Sequence, residues 1–515
     1  MLSLALSLAC TEAPCAAGYG RTDAGHCVPL DDGSGTDTSA PLETAPIDTG
    51  PTEDTFDPGE QITGDCEAPD ELPDDPITLS WTWSSQDHGT FVEWVEAALS
   101  AGGERAFFVG HGGLYAFDVG DDGLSNPIGR SSSYGYNGRY HEVLVLDEDL
   151  LVASSRDGGW HSYDIASGGL SQVSGRQLEG AGAMAAGDGV LYVTTFEGDL
   201  YTYEVTASDV TELGRVSEVL ASPWEAVVVG DRLYVADNSL GVAVFDVSTP
   251  SEPSLVGSVA VDGSAQDLVA GDGVLYVAAG SAGLQVFSLA DPDAPSSIGL
   301  LDYGTALTNL AIVADVLYAV SHEDLVLYDV SEPEAPVPLG SEQTEQYALA
   351  VVADEDKALV ADWGNIPRYA VEPGVRSPEA DPSRNALYFY DGSRSATVEV
   401  VNRGADTLQL LGASTDDARF TIKATSTSVP AGESTTVTVV FEDDGEPVDS
   451  SLCLATNDPD QPLMELPLSE SESVDASVGV GEQAPDFTAS DLDGTSHRLS
   501  EQLGHPVLLV YFATW

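Results

Sequence analysis

The side chains able to do covalent or metal chemistry are few in this 515-residue chain. It has five cysteines, Cys10, Cys15, Cys27, Cys66 and Cys453. None stands in a Cys-x-x-Cys pair, the spacing that a zinc site or a dithiol centre uses. Cys15 and Cys27 bracket the eleven-residue Gly-rich loop AAGYGRTDAGH. Closing a loop of that size restricts the unfolded chain by roughly 3 kcal/mol, so a Cys15–Cys27 disulfide is expected. Cys66 and Cys453 have no evident partners. His88, His111, His141, His161 and His322 fall between residues 77 and 375, where several could converge on a metal. A solvent-exposed hairpin accounts better for His111 and His322, and no metal site is assigned. Trp160, Trp224 and Trp363 could line a sugar or peptide pocket, although core packing explains them more simply. Asn457-Asp458-Pro459-Asp460 offers oxygens to calcium but reads as an Asx-rich turn. No phosphate-cradling glycine loop, GxSxG elbow or HExxH helix occurs, and no cofactor is expected.

Charge narrows the partners. With 17 basic and 86 acidic residues the formal net charge is −69, and Lys357 and Lys423 are the sole lysines. Nucleic acid is excluded, because binding it needs a basic face that displaces counterions. A partner recognised by charge should be cationic or a metal. Gly at 52 and Pro at 29 favour many turns and an all-β architecture.

The elements that must position these residues are set by an internal repeat. Leu191, Leu233, Leu275, Leu317 and Leu359 are spaced 42 apart, the first four each followed by Tyr, and Leu150-Leu151 and Phe107-Phe108 continue the series upstream. A second mark follows about a dozen residues later in each unit: Phe117, Tyr163, Tyr203, Phe245, Phe287, Tyr328 and Tyr369. Four short strands per unit, repeated seven times, predict a seven-bladed β-propeller over residues 77–375. Units such as GDGVLYVAAGSAGLQVFSLADPDAP resemble the LVIVD-repeat family of bacterial surface proteins. That resemblance implies the fold and leaves the propeller's ligand or protein partner open. Residues 385–468 carry alternating runs separated by polar turns, as a β-sandwich requires. Stretches such as VEVVNRGADTLQL and VPAGESTTVTVVF resemble hydin-type immunoglobulin-like domains, which act as spacers or docking modules.

The two ends differ from this mostly β body. Met1 to Ala9, MLSLALSLA, followed by Cys10, resembles a bacterial lipoprotein signal, which implies a lipid on Cys10 and residence in the cell envelope. Membrane attachment would then be by the lipid anchor alone. Residues 11–76 hold seventeen acids against Arg21 and read as a solvated, disordered stalk. After a linker at 469–478, residues 479–515 resemble the start of a redoxin, a thioredoxin-like α/β fold. The matching residues are Pro485, Asp486 and Phe487, then Phe512, Ala513, Thr514 and Trp515. In the thioredoxin-like branch a Cys-x-x-Cys follows that tryptophan, and a low-pKa thiolate there attacks disulfides. Its substrates would be protein thiols or disulfides. The end at Trp515 reads either as a UGA codon for selenocysteine taken as a stop or as a contig edge, a frameshift or a pseudogene; the full-length product is expected to be a thiol-disulfide oxidoreductase served by propeller and sandwich. The alternative is a non-enzymatic surface scaffold or adhesion protein.

Overall fold

The computed structural model describes residues 60–471 apart from residue 63, 87–91, 126, 132–138, 167, 207, 302–304, 391–393 and 443–448. Beyond that span it describes four short strands, Tyr19–Arg21, Cys27–Pro29, Thr488–Ser490 and Ser496–Arg498. Met1–Asp57 and Pro58–Trp515 are separate compact units. In the first, Tyr19–Arg21 pairs antiparallel with Cys27–Pro29. Cys10, Cys15, His88 and the redoxin-like residues Pro485, Asp486, Phe487, Phe512, Ala513, Thr514 and Trp515 lie outside the described residues.

In the second unit seven antiparallel sheets follow one another along the chain. Their innermost strands are Trp94–Leu99, Tyr140–Val145, Ala181–Gly187, Pro223–Val229, Asp267–Gly271, Leu307–Val313 and Ala348–Asp354, in blades 1 to 7. Each inner strand neighbours the next, and that of blade 7 neighbours that of blade 1, so the ring closes. Blade 7 takes its outermost strand, Ile77–Ser84, from the start of the propeller, paired with Asn365–Val371. Hydrogen bonding between first and last strands is what locks the ring.

The second strand of a blade lacks polar alternation because neighbouring blades cover both of its faces. Leu233-Tyr234-Val235-Ala236 is wholly buried. Leu233 packs in the cluster between blades 3 and 4, and Tyr234 in the one between blades 4 and 5. Seven such clusters fill the seven junctions. The second mark has its own role. Tyr163, Tyr203, Phe245, Phe287, Tyr328 and Tyr369 are buried where the register shifts between the third and outermost strands. One mark slips: Ala358, not Leu359, faces blade 6, and Leu359 takes the tyrosine slot toward blade 1. The strand of blade 7 begins at Lys357, only 41 residues after its counterpart Val316, so the 42-residue spacing does not hold there.

Residues 380–471, together with Glu60–Gln61, form two five-stranded sheets around a shared core that includes Val398, Val400, Val437, Val439, Leu452 and Leu454. The edge of one sheet is Glu60–Gln61, paired with Phe420–Ala424, and Ile62 is buried in the same core. A disulfide joins Cys66 to Cys453, 387 residues away, with Cα atoms 5.9 Å apart. Two expectations are thereby corrected. The stalk expected over 11–76 gives way to paired chain at Glu60, and Cys66 and Cys453 are each other's partners. The propeller is an insertion within the sandwich. Its ends meet, since Ile77 pairs with Val371 and the Glu372 amide donates to the Pro76 carbonyl at 2.9 Å.

Candidate site in the propeller channel

Because the apolar cores lie between blades, the residues at the ring's axis are free to be polar. In an unbroken strand successive side chains point to opposite faces, so only alternate ones could face the channel. A β-bulge adds a residue and turns a second side chain inward. The register shifts between Trp94 and Glu96, Tyr140 and Glu142, Pro223 and Glu225, Leu307 and Asn309, and Ala348 and Ala350. The bulged residues Val95, His141, Trp224, Thr308 and Leu349 line one cavity of about 390 Å³. Glu96, Glu142, Glu225 and Asn309, each following such a residue, line it too, with Gln266 and Asp267 supplying blade 5. Blade 3 offers only Ala181-Gly182-Ala183 at this level, and a side chain at Gly182 would crowd Phe196.

Four carboxyl groups therefore meet in the channel. Glu96, Glu142 and Glu225 each bring an oxygen within 4.8 Å of the others. In each the following backbone amide donates to the carboxylate: Ala97 at 2.8 Å, Val143 at 3.1 Å and Ala226 at 3.0 Å. Asp267 accepts from the amides of Leu268 and Leu310. Asn309 accepts from the Val351 amide at 2.8 Å and points Nδ2 at Glu96 Oε2, 3.4 Å away. Burial raises Glu96, Glu142 and Asp267 well above the usual carboxylate range, and the charge of Glu225 raises each further. Burial also raises Glu225, against a hydrogen bond from Glu142 that lowers it. The group therefore favours retaining protons over full ionisation when nothing cationic neutralises it. An all-oxygen set of this kind suits a hard divalent cation or an ammonium group.

The walls are aromatic and basic. The Arg156 guanidinium lies 4.1 Å from the centre of the Phe196 ring and 5.2 Å from that of Trp224. Arg139 is engaged in a two-pronged pair with Asp157 at 3.0 and 2.6 Å. His141 Nε2 lies 3.2 Å from the Trp224 carbonyl, and its ring is pushed down to about 3, by burial first and then by Arg156, so it is neutral. His322 stacks on Tyr347 with ring centres 4.1 Å apart, and His111 contacts Glu93.

Thus His111, His141 and His322 do line one cavity. Among the described residues, however, the groups able to hold an ion are all carboxylates. His161 is buried elsewhere, in the third strand of blade 2. Trp160 packs on Tyr203 in the core, as expected, whereas Trp224 faces the cavity. Trp363 reaches it only through Tyr347, 6.1 Å away ring to ring. The acids were missed in the sequence, where they read as general solvated surface. The available signal was register, since Glu225, Asp267 and Asn309 are spaced 42 apart, in step with the repeat.

A second acidic group lies where propeller and sandwich meet. Asp75, Glu342 and Asp460 approach within 4.8 Å, as do Glu379, Asp458 and Asp460. Although the Asp460 side chain reaches solvent, desolvation by the packed chain around it, then Asp75 and Glu342, push it up to about 10, and burial with Asp75 lifts Glu342 to about 7. Asp458 does form the expected turn, accepting from the amides of Asp460 and Gln461. It also accepts from the Ala380 amide at 2.8 Å, tying the turn to the start of the second sandwich segment.

A closed ring of four-stranded blades around a polar channel defines a β-propeller. Residues 223–261, the span of blade 4, match the LVIVD repeat. Three solved structures illustrate what the chain is similar to. The WD40 β-propeller domain of Doa1 is 11% identical and aligns over 58% of this chain and 97% of its own, with a TM-score of 0.46. A chain of the mitotic checkpoint complex is 12% identical, over 58% and 96%, with a TM-score of 0.48. The computationally designed Ika8 protein is 12% identical, over 54% and 96%, with a TM-score of 0.42. Among curated proteins no match was found.

Proposed function

We propose that the protein is an exported, lipid-anchored binding protein whose propeller channel takes a small ligand through a cationic ammonium group. The observation that carries this reading is the convergence of Glu96, Glu142, Glu225 and Asp267 from four blades into one cavity beside Trp224 and Tyr347. A cation arriving there replaces the protons that the carboxyls otherwise retain, and aromatic faces add cation–π attraction. The sandwich, whose strand pattern resembles hydin-type immunoglobulin-like domains, acts as a spacer that presents the propeller away from the membrane.

Titration calorimetry with alkylamines tests this, run in buffers of different ionisation enthalpy. Saturable binding with proton release, abolished by Glu225→Gln, is the expected result. Absence of binding, or binding that Glu225→Gln leaves intact, overturns it. Saturation by Ca²⁺ that excludes amines reassigns the carboxyls to a metal.

A second reading rests on the redoxin resemblance of Gly481 to Trp515. In it the protein also performs thiol-disulfide exchange, the propeller and sandwich choosing or positioning protein substrates. The 515 residues contain no Cys-x-x-Cys, so the reaction needs cysteine or selenocysteine beyond Trp515. Reduction of insulin disulfides by a protein extended through such a motif supports it. Inactivity with the motif intact leaves the scaffold function alone.

A further inference from the structure

One cation in the channel lacks the partner that its surroundings would supply. Six other arginines, Arg139, Arg215, Arg232, Arg376, Arg403 and Arg419, pair with aspartates, as a chain with 86 acids makes easy. Among the described residues the Arg156 guanidinium stacks on the faces of Phe196 and Trp224 and is in no ion pair; the adjacent Asp157 acts on it through charge, but its carboxylate is bonded to Arg139. Stacking of this kind holds the planar group in place and leaves its five N–H donors free in the ring plane. Arg156 lines the same cavity as Glu96, Glu142, Glu225 and Asp267, yet forms no ion pair with them. Trp224 connects the two features, since its ring carries the guanidinium and the next residue is Glu225.

Resting on the ammonium reading above, we infer that the ligand is a zwitterion, an amino acid or its ω-amino homologue, with its ammonium at the carboxyls and its carboxylate on Arg156. A guanidinium suits this end because its parallel N–H bonds match a carboxylate in a two-pronged, charge-assisted contact. Arg139 cannot serve equally, its donors being committed to Asp157. A cavity of about 390 Å³ has ample room for a molecule of this size. A purely cationic ligand would leave the Arg156 charge facing it, and a purely anionic one would face four acids.

The experiment compares ω-amino acids from glycine to 6-aminohexanoate with alkylamines and alkanoates of matching length, in wild type, Arg156→Gln and Glu225→Gln. The expected result is an ω-amino acid that binds about tenfold or more tightly than its amine, the margin of one charge-assisted contact. Arg156→Gln should erase that margin and leave amine affinity unchanged or improved. Amine binding with no zwitterion advantage, or an advantage that survives Arg156→Gln, overturns this inference and leaves the ammonium reading standing. Failure of every amine and amino acid overturns both.

Discussion

If four carboxyls are buried together in the channel, the unliganded protein must lose stability as pH rises. Glu96, Glu142 and Asp267 have folded-state pKa values raised well above those of the unfolded chain, mainly by burial and then by Glu225. Groups of this sign contribute fully below the unfolded value, near pH 4, and the contribution is lost as pH climbs toward the folded value. While one such group keeps its proton in the fold and has lost it in the unfolded chain, stability falls by about 1.4 kcal/mol per pH unit. Each further group that keeps its proton in the fold steepens the fall, so the loss should exceed that of a single carboxyl. Urea unfolding monitored by tryptophan fluorescence, at intervals between about pH 5 and pH 8, measures it. The net charge of −69 also disfavours the folded state as acids ionise, so the measurement needs high salt. Salt screens exposed charges and leaves buried ones largely untouched. Glu225→Gln is the decisive perturbation, because it removes the charge that raises the other three. The variant should be more stable than wild type at pH 8, nearly equal at pH 5, and should show a shallower slope. A flat wild-type profile in high salt, or a variant with an unchanged slope, would refute the arrangement of acids described.

Other consequences can be checked separately. Cys453→Ser opens a covalent loop spanning 387 residues, for which the chain-entropy account gives a loss of about 6 kcal/mol. Thermal unfolding with and without reductant should show that loss in wild type and none in the variant. Leu233→Ala deletes a fully buried side chain between blades 3 and 4 and should cost about 3 kcal/mol in urea; a loss below about 1 kcal/mol would mean that this junction is not close-packed. At the junction of propeller and sandwich, Asp460→Asn removes a solvent-reaching carboxyl pushed up to about 10 by partial desolvation and acidic neighbours. The variant should match wild type at about pH 4 and exceed it at about pH 8, where holding the proton costs most. A variant weaker than wild type at the higher pH, restored to parity by a chelator, would instead show a cation shared by Asp75, Glu342 and Asp460.

The parts of the fold readable in the sequence are those in which burial dictates residue type. The second strand of each blade is covered on both faces, so Leu-Tyr-Val-Ala recurs with the blade period and announces itself. Strands with one covered face, such as Thr397 to Val401 in the sandwich, show alternation and are equally legible. The topology that joins them is not. Nothing in Glu60–Gln61 distinguishes a two-residue sheet edge from the acidic leader before it. Cys66 and Cys453 lie far apart along the chain because the whole propeller intervenes, and their proximity exists only once its two ends have been brought together by Ile77 pairing with Val371.

The channel escaped for a sharper reason. An acidic residue at position 142 or 225 looks like any of the other surface acids unless its side chain is known to face inward, and that direction is decided by the bulge before it. A bulge has no obligatory residue: the bulged positions are Val95, His141, Trp224, Thr308 and Leu349, with no type in common. Regular spacing made the blades visible by their apolar positions while concealing that the polar positions in the same register share a cavity. The ligand-binding capacity of this propeller thus resides in departures from regular pairing. Within a scaffold whose second strands are nearly interchangeable, the inner strands are free to carry Glu, Asp, Asn or nothing polar at all, as blade 3 does.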